Sequence, residues 1–437
     1  MLYRTSSWLL AVLDIGLFTC VWAWRPRSPQ DSPFHAIRSD RPAEESLLET
    51  LTQVYQGDVN SSIHLSDLIR GDPAAEDRPL LLLLDPQGQH RAQHLAPDVF
   101  EGVLKEVDKK FETLRVDNVP HQHCAEMAQQ VSQAPLATSL STQDPLIIHT
   151  GAFLAGSDLS RWKDAPRKLR LNLLSVLATQ DLSRTKVMWW SDVDLSNPYL
   201  KEAFAPILAK PDLAKVLDVK KFDAPAEYKQ AFPGRDGMAD FFVQLYQKDG
   251  MLGSRSDLQR IVLLNNYGGI WMDIDVVALS DFAPLAHKDW AYLGQSGFIN
   301  GAILGTESKH SPFMKAYMAK IASKFHEEAK RSTNYFEFGP TLLAGLHSNS
   351  TTKNVFHILP PCFFDGGWEA QHMNAPDWDH FFTGKATPGQ IEFIAPEAGA
   401  HQAFAYHWHN RWDKPIDPSS VAAEAEKHLV TKLDLKV

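Results

Sequence analysis

The stretch Gly253–Phe282 reads G-S-R-S-D-L-Q-R-I-V-L-L-N-N-Y-G-G-I-W-M-D-I-D-V-V-A-L-S-D-F. Its first half has the marks of a helix. Ser254 or Ser256 can cap it, Asp257 sits in the first turn facing the positive end of the macrodipole, and Leu258, Ile261, Val262 and Asn265 follow at helical spacing. Asn266-Tyr267-Gly268-Gly269 stops it. The second half, Ile270 to Leu279, reads as a short apolar strand rich in β-branched residues, interrupted by Asp273 and Asp275. At period two both carboxylates leave the same face. Buried alone, like charges so close would force one to stay protonated; a divalent cation removes that conflict and takes hard oxygen ligands. The plain alternative is a strand running out into a solvated turn, against which stands the apolar run Val276–Leu279 beyond the pair.

A lone D-x-D occurs by chance in most chains. Here it closes a longer string, S-D-x-x-R-x-x-x-L-x-x-x-G-G-x-W-x-D-x-D, from Ser256 to Asp275. That string resembles the DXD glycosyltransferases of family 32, among them fungal α-mannosyltransferases and animal α-1,4-galactosyl- and α-1,4-N-acetylglucosaminyltransferases. The resemblance implies an α/β chain with the GT-A type glycosyltransferase fold, a single Rossmann-like mixed sheet flanked by helices. It implies a retaining hexosyltransferase that moves a hexose from a UDP- or GDP-sugar to a glycan or glycolipid acceptor with α linkage, using Mn²⁺ or Mg²⁺. Asp273 and Asp275 take catalytic and metal-binding roles in this reading. Asp257 and Arg260, three apart on one helix face, become donor-sugar ligands; an ordinary helix ion pair is the alternative. A catalytically inactive, sugar-binding relative is the rival function.

Downstream strings carry the resemblance further. Phe298-Ile299-Asn300-Gly301-Ala302 is similar to the family's F-N-G-A segment, which assigns Asn300 a catalytic, donor-contacting role and Gly301 a place beside the substrate. Ser311 to Phe325 reads as an amphipathic helix with Pro312 at its start. Glu337-Phe338-Gly339-Pro340-Thr341-Leu342-Leu343 resembles a G-P-x-L-L turn into a helix, placing Gly339 at the substrate. Ile358 to Phe364 resembles an L-P-P-x-x-F-Y strand. In Ala405-Tyr406-His407-Trp408-His409-Asn410-Arg411-Trp412, His407 and His409 are candidates to complete the metal shell; alignment on Asn410 favours His407, and Arg411 can neutralise phosphate.

Upstream, Pro145 to Gly151 reads as a strand, Arg167 to Thr179 as a helix and Lys186 to Trp190 as a second strand, a parallel α/β unit whose ligands bind outside the carboxyl ends of the strands. His149 reads as a structural residue. Leu213–Phe222 and Ala226–Phe232 read as helical, and Trp290–Leu293 as a strand. The catalytic domain is expected over 142–415, with 416–437 as a C-terminal tail.

The chain has 437 residues, 44% of them hydrophobic and 22% charged, with a net charge of -10 and no basic block, which excludes nucleic acid as a partner. Three cysteines, Cys20, Cys124 and Cys362, form no disulfide scaffold and no C-x-x-C metal site; Cys124 and Cys362 can pair in an oxidising lumen or stay free. Trp8 to Trp24 is an apolar stretch at the short end for a membrane span, with Asp14 inside it at a cost of about 3 kcal/mol. The resemblance implies an anchor, since members of that family are usually type II Golgi proteins, so residues 1–24 are expected to be a cytoplasmic tail and signal-anchor of a single-pass type II Golgi membrane protein with a lumenal catalytic domain. Val21-Trp22-Ala23 also resembles a cleavage site, which makes it secreted instead. Residues 25–75 read as a stem and 76–141 as a lumenal extension holding a strand at Pro79–Asp85 and a helix at Asp98–Leu114.

Overall fold

β4, over Gly269–Met272, lies at the middle of a seven-stranded sheet of order β3-β2-β1-β4-β7-β6-β8. The computed structural model describes residues 145–436 except 153, 155–161, 250, 287, 295–297, 326–336, 350, 351, 353, 354, 370–372 and 396–402. The expected anchor, stem and lumenal extension lie outside the described residues. Among the described residues no helix is long and apolar enough to cross a membrane.

The first half of the sheet is parallel, as the strand-helix-strand pattern requires. β1 (Leu146–Ala152) pairs in parallel with β2 (Thr185–Ser191) and with β4, and β2 pairs in parallel with β3 (Leu217–Lys221). α1 (Ala165–Thr179) makes the crossover from β1 to β2. Then α2 (Pro198–Leu208) and α3 (Pro211–Val216) follow, each with proline in its first turn. The expected helix over Leu213–Phe222 is therefore split: it ends at Val216, and the β-branched Val219 marks the edge strand β3 instead. α4 (Ala224–Ala231) and α5 (Asp236–Lys248) lead into α6 (Leu252–Tyr267).

α6 begins earlier than the sequence suggests. Met251 occupies the N-cap without a side-chain cap, so neither Ser254 nor Ser256 has that role, and Ser254 is buried within the helix. Its end is where glycine is required. Gly268 has φ +70° and Gly269 φ +91°, and a Cβ on Gly269 would overlap the Ile147 carbonyl of β1. His149 locks the same junction: its Nε2 lies 2.9 Å from the Gly268 carbonyl and its Nδ1 accepts from Trp190 Nε1 at 3.1 Å. Burial lowers its pKa to about 4, so it is a neutral, structural histidine, as expected.

Beyond β4 the pairing turns antiparallel. β7 (Ile299–Thr306) runs against β4 and β6 (Trp290–Leu293), and β8 (His357–Leu359) joins β6 in parallel. α7 (Pro312–Phe325) and α8 (Pro340–Ser348) follow β7, with short helices α9 (Trp378–Thr383) and α10 (Pro388–Ile394) later in the chain.

Two further expectations are corrected. The apolar run Ile270–Leu279 is not one strand: β4 ends at Met272, residues 273–275 turn, and β5 (Val276–Ala278) enters a second, two-stranded sheet with β9 (Ala405–His407). The sheet is thus mixed, as expected, but not single. The sequence also sets 416–437 apart as a tail, whereas its α11 (Val421–Lys432) packs on α1, with Glu426 between Arg167 (2.6 Å) and Arg170 (2.8 Å) and Ala422, Ala425 and Leu429 buried.

Candidate active site

The turn Asp273–Asp275 sits where the two sheets meet, at the carboxyl end of β4. Its backbone is held from both sides. Asp273 N–H donates to the Ala302 carbonyl of β7 (2.8 Å), and Val276 N–H donates back to the Asp273 carbonyl (3.1 Å). Asn172 of α1, fully buried, donates through Nδ2 to the carbonyls of Asp273 (3.1 Å) and Val276 (2.8 Å), and its Oδ1 accepts from Thr150 of β1 (3.0 Å). Nothing in the sequence marks Asn172, one of several polar residues in a helical stretch.

On one side of the turn, Asp273 meets the helix pair. Arg260 Nη2 lies 3.1 Å from both Asp257 Oδ1 and Asp273 Oδ1, while Nη1 donates to the Gly301 carbonyl. Trp271 Nε1 donates to Asp273 Oδ1 at 2.6 Å. Arg260 thereby joins two carboxylates and β7, with little exposure. Gly301 and Gly339 make room for it: a Cβ on Gly301 would sit 2.8 Å from Arg260 Nη1, and one on Gly339 2.7 Å from Asp257 Oδ2. Burial raises Asp257 to about 7 against the pull of Arg260. Burial also raises Asp273, with Arg260 opposing and Asp275 adding to it. Asn300 stands on the neighbouring strand, its Oδ1 accepting from Ala302 N–H at 2.9 Å.

On the other side, Asp275 meets β9. The β5–β9 register sets Val276 opposite His407, which puts Asp275 Oδ2 3.2 Å from His407 Nε2. Asn410 N–H also donates to Asp275 Oδ2 (2.8 Å). Burial works against ionisation of Asp275, yet His407, His409 and the Asn410 N–H outweigh it and keep its pKa below the usual range. Burial likewise opposes protonation of His407, but Asp275, then Asp365 and Asp273, lift its pKa to about 9.

Across β9 from Asp275 lies Asp365, which the sequence reading passes over. It bridges to Tyr406 and is fully buried. His409 Nε2 lies 2.8 Å from its Oδ1, and His407 Nδ1 3.9 Å from its Oδ2. Tyr292 of β6 reaches the same His407 Nδ1 at 3.2 Å. One signal was legible: Asp365 ends the apolar run Pro360–Phe364, as the D-x-D interrupts its own.

Arg411 sits apart from these contacts. Its Nε pairs with Asp379 Oδ1 at 3.0 Å. Its carbonyl, with that of Lys414, accepts from the buried Lys168 Nζ (2.7 and 2.6 Å). So Asp257, Arg260, Asp273, Gly301 and Gly339 gather on one flank and Asp275 and His407 on the other, with Arg411 on the loop behind.

Residues 198–291 match the family model described as the glycosyltransferase sugar-binding region containing DXD motif. A search of curated proteins returned no match. Among solved structures the chain is similar to the PaToxG glycosyltransferase (12% identity, 69% of this chain and 99% of that chain, TM-score 0.35). It is also similar to the galactosyltransferase LgtC in complex with donor and acceptor sugar analogs (12%, 67% and 97%, 0.35) and to mouse xyloside xylosyltransferase 1 (13%, 62% and 99%, 0.32). The family match spans Asp257, Arg260, Asp273 and Asp275, so residues 198–291 are similar to a glycosyltransferase sugar-binding region containing the DXD motif.

Proposed function

We propose that the protein is a metal-dependent, retaining glycosyltransferase that moves a hexose from a UDP- or GDP-sugar to a glycan or glycolipid acceptor with α linkage. One observation carries this reading: the D-x-D of the matched region folds as a turn whose second carboxylate meets an imidazole from the distant C-terminal strand (3.2 Å). The donor types fit a divalent cation: the buried Asp275 and His407 meet at 3.2 Å, and the partly exposed Asp273 carboxylate stands at the other end of the same turn. Asp273, Asp275 and His407 would hold Mn²⁺ or Mg²⁺, and the ion would neutralise charge on the leaving diphosphate.

The chain's own residues do the rest. Asp257 and Arg260 bind donor-sugar hydroxyls, and Arg260 keeps Asp273 oriented. The Asn300 carbonyl oxygen is tied to the backbone, so its NH₂ end meets the donor beside Gly301. Gly339 admits the sugar next to Asp257. Arg411, on the loop after β9, is the cation that would meet the phosphates. The acceptor hydroxyl attacks the anomeric carbon from the leaving-group face as the bond to the diphosphate breaks, and its proton passes to the departing phosphate oxygen, which keeps the α configuration.

In this reading the enzyme is a single-pass type II protein of the Golgi membrane. The disulfide bond of Cys362 suits an oxidising lumen. The test is a panel of UDP- and GDP-sugars offered to the purified full chain in detergent with Mn²⁺. Turnover of one donor that depends on an added glycan or glycolipid acceptor supports transferase activity; acceptor-independent turnover would mark a hydrolase, and tight donor binding without turnover an inactive sugar-binding protein.

A further inference from the structure

Asp365, His407 and His409 each present one ligand atom, and these atoms all lie within 4.8 Å of one another. Two adjacent chain segments build the cluster. Asp365 bridges to Tyr406, the residue before His407, and His409 follows two residues later. The turn after β9 brings the two imidazoles face to face, ring centroids 3.9 Å apart and planes inclined by 23°. That turn puts two non-glycine residues at positive φ, His409 at +49° and Asn410 at +57°, both residue types that enter the left-handed region more readily than most. Asp365 is completely buried beneath them, and Trp378 packs on the outer side of His409 at 4.5 Å.

We infer that Asp365 and His409 are metal ligands, giving the ion that His407 holds a one-carboxylate, two-imidazole site for a first-row transition metal. The inference deepens the metal dependence proposed above by adding two residues that the D-x-D does not supply. Imidazole donors favour ions of the Mn²⁺ to Zn²⁺ series, and a site with two of them discriminates against Mg²⁺, which prefers oxygen ligands and water. Because none of the three ligands belongs to the D-x-D turn, the site holds its ion without a nucleotide and survives neutralisation of that turn.

The probe is Co²⁺ alone, added to the metal-stripped full chain in detergent, with binding followed by calorimetry and by the visible absorption of bound Co²⁺. Wild type and an Asp273→Asn/Asp275→Asn double variant should each take up Co²⁺ with similar absorption bands. Asp365→Asn and His409→Asn should each weaken Co²⁺ binding by about 10–100-fold or more and change the bands. Mg²⁺ in place of Co²⁺ should bind far more weakly. His409→Asn guards against misfolding, since Asn tolerates positive φ and the His409 side chain is 23% exposed. Unchanged Co²⁺ affinity and absorption in folded Asp365→Asn and His409→Asn, or loss of all binding in the double variant, overturns the assignment. The two ideas fail separately. Transfer that needs no metal would end the proposed mechanism and leave this site standing, while metal-dependent transfer with unchanged Co²⁺ binding in the variants would do the reverse.

Discussion

Asp275 and His407, 132 residues apart in the chain, face each other at 3.2 Å because β5 and β9 pair with Val276 opposite His407. The contact ties the D-x-D turn to the C-terminal strand and sets the charge of both groups. If the D-x-D were only a like-charge pair, Asp275→Asn would leave stability unchanged or improve it. The partners of Asp275 reverse that expectation. Asp275→Asn should lower the stability of the metal-free protein by about 1.5–3 kcal/mol, the worth of hydrogen bonds to a charged group. Urea unfolding of wild type and variant measures it. Asp273→Asn, whose carboxyl is raised by burial, should cost less.

Arg260 has a structural role beside the sugar contact proposed for it. It neutralises Asp257 and Asp273 together, and both are largely buried. Arg260→Ala should cost about 3–5 kcal/mol, since it strands buried carboxylates. Lysine has a single ammonium and cannot span two carboxylates and the Gly301 carbonyl in the same way, so Arg260→Lys should recover only part of the loss. A fully stable Arg260→Ala would show that the network carries no load.

Asp257 gives the fold a pH signature. Its pKa rises from 3.8 to about 7 on folding, so its contribution is fully present below 3.8 and is lost as the pH rises through about 7. Wild-type stability should therefore decline across that window more steeply than that of Asp257→Asn. Denaturation midpoints at pH 4, 5.5 and 7, chosen as roughly the span of the shift, test the sign. Equal slopes in the two proteins would contradict it.

Asn172 pins the turn from behind. Asn172→Ala would leave the Asp273 and Val276 carbonyls without their side-chain donor and should cost about 1–3 kcal/mol. Donor affinity should fall with it, because the carboxylates lose their fixed backbone. Asn172→Asp, which cannot donate when ionised, should behave no better. Calorimetric titration with nucleotide checks the second effect.

How much of this was legible follows from which signals are local. The end of α6 could be read because Gly268 and Gly269 are demanded by backbone geometry. The β1-α1-β2 unit could be read because apolar period and crossover length are local too. The break between β4 and β5 could not, since Val276–Ala278 is as apolar as any continuing strand and only its pairing with β9 diverts it. β3 was hidden because Pro211 starts a helix so close upstream. At the site, spacing brought Asp257 and Arg260 together on one helix face. The convergence of Asp275, Asp365, His407 and His409 depends on strand register across distant segments, which no local spacing encodes.

The central claim, metal-dependent transfer at the Asp273–Asp275 turn, is tested most directly by one assay. Sugar transfer from the preferred nucleotide-sugar is measured with the full chain in chelator and again after Mn²⁺ is restored, for wild type and Asp275→Asn. The account predicts no transfer by wild type in chelator, recovery with Mn²⁺, and Asp275→Asn lower than wild type by orders of magnitude once Mn²⁺ is restored. Full transfer in chelator, or a fully active Asp275→Asn, would contradict it.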